Sequence, residues 1–131
     1  MIIGVGTDIV RIDRIKRLIE KYNQMFLSRI LCSEELKKIE KLPVGKLYSF
    51  VAKRFAAKEA ISKAFGIGIG QYLQFKTITI INDELGRPLV VLNSTKIKDI
   101  RQFRVHLSMS DDYPNALAFA ILIKQPTNFK N

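Results

Sequence analysis

Glu59 and Lys63 stand four residues apart, and so do Arg54 and Lys58, all within one uninterrupted Ala-rich run. On a helix each pair stacks on its own ridge, so three cations and a carboxylate would share one broad face. A Glu-to-Lys pair at that spacing can simply support its helix, which is worth about 0.2 to 0.5 kcal/mol. A second carboxylate, Asp8, follows an apolar stretch near the start and needs a partner there. It reads either as an N-cap for the helix that follows or as a second oxygen ligand beside Glu59. In the latter case the two acids would hold a hard cation, with Arg and Lys nearby for the phosphates that such a cation bridges. The single histidine, His106, alternates with apolar residues on the same side as Ser108 and Ser110. A lone strand histidine is more often structural than catalytic, although these hydroxyl neighbours suit hydrogen bonds to a phosphate or sugar.

Two glycine patterns look superficially like phosphate loops. Gly4-Val-Gly6 lacks the third glycine of a dinucleotide fingerprint, since Ile9 stands there. Gly66, Gly68 and Gly70 follow a helix instead of opening one, so they present no helix N-terminus to a phosphate. They form a plain loop or one that lets backbone approach a ligand closely. Arg14, Arg17 and Lys21 make a basic stripe that is either solvated or matched to a negatively charged helix on a partner.

The elements that must position these residues can be read from periodicity. Ile2 to Val5 reads as a short buried strand ending at Gly6-Thr7-Asp8. Ile9, Ile12, Ile15, Leu18, Ile19 and Tyr22 then recur at helical steps. Ser33 followed by Glu34 and Glu35 reads as an N-cap with acids in the first turn. The main helix spans about 46 to 65 and meets Gly66 at its C-terminal cap. Phe75 to Ile81 and Leu89 to Leu92 flank turn residues and make a hairpin. A short helical piece is expected near 96 to 100. Val105, Leu107 and Met109 alternate with His106, Ser108 and Ser110 as a two-faced strand. Ala116 to Ile123 suits a strand buried on both faces or set in an oligomer interface.

The chain has 131 residues, 47% of them hydrophobic, and 22 Lys and Arg against 12 Asp and Glu, for a formal charge of +10. One core is expected at this length, which excludes a large multidomain enzyme, and disorder is excluded by the apolar content. The expected architecture is α+β, a single domain over 1–124 with a flexible tail at 125–131. No run approaches a transmembrane helix and no secretory signal opens the chain, so a cytoplasmic protein is expected. The lone cysteine, Cys32, offers neither an internal disulfide nor a zinc site and reads as inert packing. The charge implies an attraction to polyanions, whether nucleic acid, an anionic membrane, a polyphosphate or an acidic protein.

Three stretches resemble the holo-acyl-carrier-protein synthase group of 4′-phosphopantetheinyl transferases. They are Ile3-Gly-Val-Gly-Thr-Asp8-Ile-Val, then Arg54-Phe-Ala-Ala-Lys58-Glu59-Ala-Ile-Ser-Lys63-Ala-Phe-Gly66, then Val105-His-Leu-Ser-Met-Ser110. They keep the family's order and spacing over nearly the whole chain, and the helix motif is the specific one. The resemblance implies transfer of the 4′-phosphopantetheine arm of coenzyme A to a serine of apo-acyl carrier protein in fatty-acid synthesis. It also implies release of adenosine 3′,5′-bisphosphate and a need for Mg²⁺.

On the matching positions, Asp8 and Glu59 are the metal-binding carboxylates and Lys63 the lysine beside the pyrophosphate and reacting β-phosphate, so Glu59 and Lys63 are the catalytic candidates. Arg54 and His106 hold the nucleotide around its 3′-phosphate, and Pro88 lies beside the adenine. Arg14, Leu18 and Phe26 dock the carrier protein. Arg54, Lys58 and Lys63 would then face the phosphates of coenzyme A. Either Glu59 or a water on the metal would take the serine proton.

The chain departs from the family at Asp111-Asp112, where a histidine commonly follows the Ser-x-Ser strand. The family's fold is α+β with a long helix on a small, mainly antiparallel sheet. Its bacterial single-domain members form trimers with active sites between subunits, so Asp8 and Glu59 would meet His106 of a neighbouring chain. The rivals are a basic nucleic-acid-binding module and a coenzyme A-binding regulator without catalysis. Aromatics at core-like positions, not interleaved with cations, weigh against a nucleic-acid partner, and no membrane partner is expected.

Overall fold

A computed structural model describes residues 1–126. In chain order, β1 (Ile2–Arg11) leads into α1 (Ile12–Tyr22), α2 (Gln24–Ile30), α3 (Ser33–Ile39) and the long α4 (Leu47–Phe65). The hairpin β2 (Ile78–Asn82) and β3 (Pro88–Leu92) follows, then β4 (Phe103–Asp112) and β5 (Asn115–Lys124). β5 is the centre of a three-stranded antiparallel sheet in the order β1-β5-β4, and β2 with β3 forms a separate two-stranded sheet. This is the expected α+β arrangement.

α4 lies across one face of the larger sheet. Its Ala56, Ala57, Ala60 and Ala64 are buried, as are Ala116, Ala118, Ala120 and Leu122 of β5. Small residues on both sides let helix and sheet approach closely, and Ile15, Ile30, Leu31, Val51, Ile61, Leu73 and Ile78 fill the remaining core. Gly66, at φ +77°, ends α4 in the left-handed cap expected of it.

Several boundaries differ from the sequence reading. β1 does not stop at Gly6-Thr7-Asp8; pairing with β5 carries it on to Arg11, which lies opposite Asn115. α1 therefore starts at Ile12, so Asp8 is not its N-cap and Ile9 belongs to a strand. Ile2, Ile3 and Val5 are exposed instead of buried. The cap position of α3 is Cys32 and not Ser33: the Glu35 carboxylate accepts the Cys32 backbone N–H at 3.0 Å, which moves the start back by one residue. Phe75–Thr77 forms a single 3₁₀ turn before β2. The helical piece expected near 96 to 100 is replaced by a 3₁₀ turn at Ile100–Gln102.

Of the expected tail, Gln125 is tied by its N–H to the Gln102 carbonyl at 2.8 Å, and 127–131 lie outside the described residues. Among the described residues no helix is long and apolar enough to cross a membrane.

Candidate active site

The site begins with two missing side chains. A Cβ on Gly4 would stand 1.8 Å from the Ala64 carbonyl oxygen, and one on Gly6 would stand 1.9 Å from that of Ala60. Only glycine lets β1 lie this close to the α4 backbone. Alternation then puts Gly4, Gly6, Asp8 and Val10 on the helix-facing side, opposite Leu122, Ala120, Ala118 and Ala116. Asp8 is thereby delivered to the helix face that carries Glu59 and Lys63. Lys63 Nζ donates to Asp8 Oδ1 at 3.2 Å and to the Thr7 carbonyl at 3.0 Å. The Glu59 carboxyl is raised above its ordinary range by burial first and by the Asp8 charge second, with Lys63 and Arg14 pulling the other way.

This donor set fits a magnesium ion. Mg²⁺ takes hard oxygens, commonly one or two carboxylates with the rest of its shell from water and substrate phosphates. Asp8 and Glu59 are two such carboxylates whose mutual repulsion a cation would relieve. Among the described residues no group of three or more Asp, Glu, His or Cys gathers anywhere.

Arg54 and Lys58 do not share that face. Lys58 is completely buried and bonds the Glu35 carboxylate at 2.6 Å, the Ile30 carbonyl at 2.7 Å and the Phe75 carbonyl at 3.0 Å. All three ammonium protons are used, so Lys58 faces no phosphate; it is a strut joining α4 to α2 and α3. The reason is Glu35, itself 1% exposed, which sequence reading assigned only to a helix start. Burial pushes the Lys58 ammonium down, and the Glu35 carboxylate counteracts it.

Arg54, one turn earlier, is also buried, but it lines an open pocket of about 560 Å³ with Phe50, Asn82, Pro88 and Ser108. Its Nη2 donates to Asn82 Oδ1 at 2.9 Å, and its guanidinium lies 4.2 Å from the Phe50 ring centre. Asp111 is ion-paired to Lys53 at 2.9 Å, so the carboxylate tethers the end of β4 to α4 beside this pocket.

His106 is exposed on the other face of the sheet. It lies opposite Ile121 and Ser108 opposite Phe119, whereas the helix-facing Ala118 lies opposite Asp8. One chain therefore cannot bring His106 and the Asp8–Glu59 pair to the same small group. His106 and Pro88 together line a second open pocket, so Pro88 borders both the Arg54 and the His106 sides. Val5, Ile9, Leu117 and Phe119 are exposed on the His106 face.

Arg14, Leu18 and Phe26 do come together. They line a groove of about 470 Å³ with Tyr22, Met25, Arg29, Phe55 and Phe75, between the first two helices and α4. Arg14 stands over the Phe55 ring at 5.6 Å.

A family model described as the 4′-phosphopantetheinyl transferase superfamily matches residues 4–118. A holo-[acyl-carrier-protein] synthase of Orientia tsutsugamushi is 42% identical over 127 residues, covering 93% of this chain and 97% of that protein. The chain belongs to this family. Among solved structures, the holo-[acyl-carrier-protein] synthase of Neisseria meningitidis is 43% identical with a TM-score of 0.85, over 95% of this chain and 100% of that one. A Bacillus anthracis holo-(acyl-carrier-protein) synthase, solved in complex with CoA (3′,5′-ADP), is 37% identical with a TM-score of 0.83, over 96% and 99% of the two chains. The phosphopantetheinyl transferase fold expected from the three motifs is the fold observed, and the chain is an enzyme of the holo-acyl-carrier-protein synthase type.

Proposed function

We propose that this chain transfers the 4′-phosphopantetheine arm of coenzyme A to a serine of an apo-acyl carrier protein, in an Mg²⁺-dependent reaction that serves fatty-acid synthesis in the cytoplasm. The observation that carries the reading is the crossing of β1 over α4, where Gly4 and Gly6 let Asp8 meet Glu59 and Lys63. Phosphoryl transfer asks mainly for positioning and charge stabilisation, and this cluster supplies both.

The serine oxygen forms a bond to the β-phosphorus of coenzyme A while the pyrophosphate P–O bond breaks, and adenosine 3′,5′-bisphosphate leaves. Asp8 and Glu59 would hold the cation, which when bound supplies charge neutralisation at the pyrophosphate. Lys63 sits against Asp8 and faces the reacting phosphate. The serine proton passes to the Glu59 carboxylate or to water at the site. Arg54 and Pro88 belong to the nucleotide end, and Arg14, Leu18 and Phe26 form the carrier-docking groove.

His106 joins this site only if a second copy brings it there. Support for a homotrimer with sites between subunits is the exposed apolar face of Val5, Ile9, Leu117 and Phe119, together with His106 on the sheet face opposite Asp8.

The test is Glu59→Ala. Transfer to apo-carrier is expected to fall by roughly a thousandfold or more, with an unchanged circular dichroism spectrum. An unchanged rate would remove Glu59 from the mechanism.

A further inference from the structure

One buried carboxylate joins three elements behind the wall of the Arg54 pocket. Glu35 of α3 accepts the Lys58 ammonium at 2.6 Å and the Cys32 backbone N–H at 3.0 Å, both on Oε1. Its Oε2 accepts the Ile80 backbone N–H of β2 at 3.3 Å and lies 3.7 Å from Arg54 Nε, an ion pair longer than a hydrogen bond. All four neighbours are donors, and an ionised carboxylate is a side chain that only accepts. An amide of the same shape would turn its NH2 towards one pair of these donors.

Lys58 and Arg54 share that one negative charge with different results. Lys58 spends its protons inside the protein, whereas Arg54 lines the pocket. Arg54 Nη2 also donates to Asn82 Oδ1 at 2.9 Å and to the Ile80 carbonyl at 3.4 Å, and its Cζ lies over the Phe50 ring. Among these contacts Glu35 alone carries a full charge. Burial pushes the Arg54 guanidinium down and the Glu35 carboxylate pulls it back up. Without the carboxylate, two cations four residues apart on α4 would stand in a dry interior with only repulsion between them.

We propose that Glu35 is a positioning residue for the transfer reaction, acting on coenzyme A through Arg54 by holding the guanidinium charged and in one orientation at the pocket wall. The inference rests on the assignment of the Arg54 pocket to the coenzyme A nucleotide. A cation already ordered from behind loses little freedom when its ligand arrives, so the contribution of Glu35 falls on affinity for coenzyme A. The residue comes from α3, and the sequence gave it no part beyond a helix start.

Glu35→Gln alone would leave Lys58 charged and unpaired in the core, a strongly destabilising change. The test therefore combines it with Lys58→Met, which removes both charges of the strut together, and compares this double variant with Lys58→Met alone. Thermal unfolding and isothermal titration calorimetry with coenzyme A are measured on the full chain. Lys58→Met keeps the Glu35–Arg54 pair, so it is expected to melt below wild type yet bind coenzyme A as wild type does. The double variant is expected to melt above Lys58→Met yet bind coenzyme A about tenfold more weakly than wild type. In an Arg54→Met background the same two changes are expected to cost no further affinity. Affinity that simply follows melting temperature across the variants would overturn the proposal, since that is what a purely structural role predicts. A tenfold loss that persists in the Arg54→Met background would overturn it too, because Glu35 would then not act through Arg54. A double variant that binds as wild type while Arg54→Met binds weakly would overturn the positioning role and leave the nucleotide assignment standing. An Arg54→Met chain that binds coenzyme A as tightly as wild type would overturn both.

Discussion

Lys58 and Glu59 are adjacent in sequence and opposite in consequence. Lys58 saturates its ammonium inside the protein, whereas Glu59 keeps a carboxylate at the site with its pKa raised by burial and by Asp8. A raised carboxyl pKa makes the folded state bind its proton more tightly, so ionisation costs stability. That cost is absent below the ordinary value and complete above the raised one. Glu59→Gln is therefore expected to melt somewhat higher than wild type at neutral pH, with the gain vanishing on acidification below the ordinary carboxyl range. A gain that persists unchanged in acid would mean that the substitution stabilises by some other route. Lys58→Met, by contrast, strands Glu35 in the core and is expected to cost about 3–5 kcal/mol in urea unfolding. A cost below about 1 kcal/mol, the level of a surface ion pair, would contradict the strut. Residue types and spacing left Asp8 open between a helix cap and a place beside Glu59, and the structure sets its carboxylate 3.2 Å from Lys63 Nζ. They misplaced Lys58 because its fate depends on Glu35, a contact 23 residues away that no local pattern encodes.

At the scale of elements, α4 was legible almost to the residue, because its composition and its Gly66 cap are local signals. β1 was not: its continuation through Gly6-Thr7-Asp8 is imposed by register with β5, more than 100 residues later in the chain. The same glycines that looked like a truncated phosphate loop are there for close packing on Ala60 and Ala64. Gly6→Ala places its methyl on a helix carbonyl that cannot move aside, so a loss of roughly 3 kcal/mol or more is expected, together with loss of transfer as Asp8 shifts from Glu59. Chemical denaturation and the carrier-modification rate check the two effects separately. A Gly6→Ala chain with wild-type stability would refute the close approach.

For the whole molecule, the charge of +10 is distributed over distinct surfaces. Arg54 and Lys38 line the pocket assigned to the nucleotide, Lys63 faces the acidic pair, and Arg14 and Arg29 flank the groove assigned to the carrier. The apolar run of β5 was visible in sequence, but only the sheet shows that one side is covered by α4 while Leu117 and Phe119 lie open. If that face joins copies of the chain, sedimentation will give a trimer, and Phe119→Asp will give a monomer that no longer modifies the carrier. Mixing Glu59→Ala and His106→Ala subunits should then recover activity that neither has alone; no recovery would place both residues in a site made by one chain. The most direct measurement is the intact mass of an apo-acyl carrier protein after incubation with this chain, coenzyme A and Mg²⁺. The account predicts a mass increase of one phosphopantetheine unit, abolished by Glu59→Ala, whereas a carrier that keeps its apo mass with the wild-type chain would contradict it.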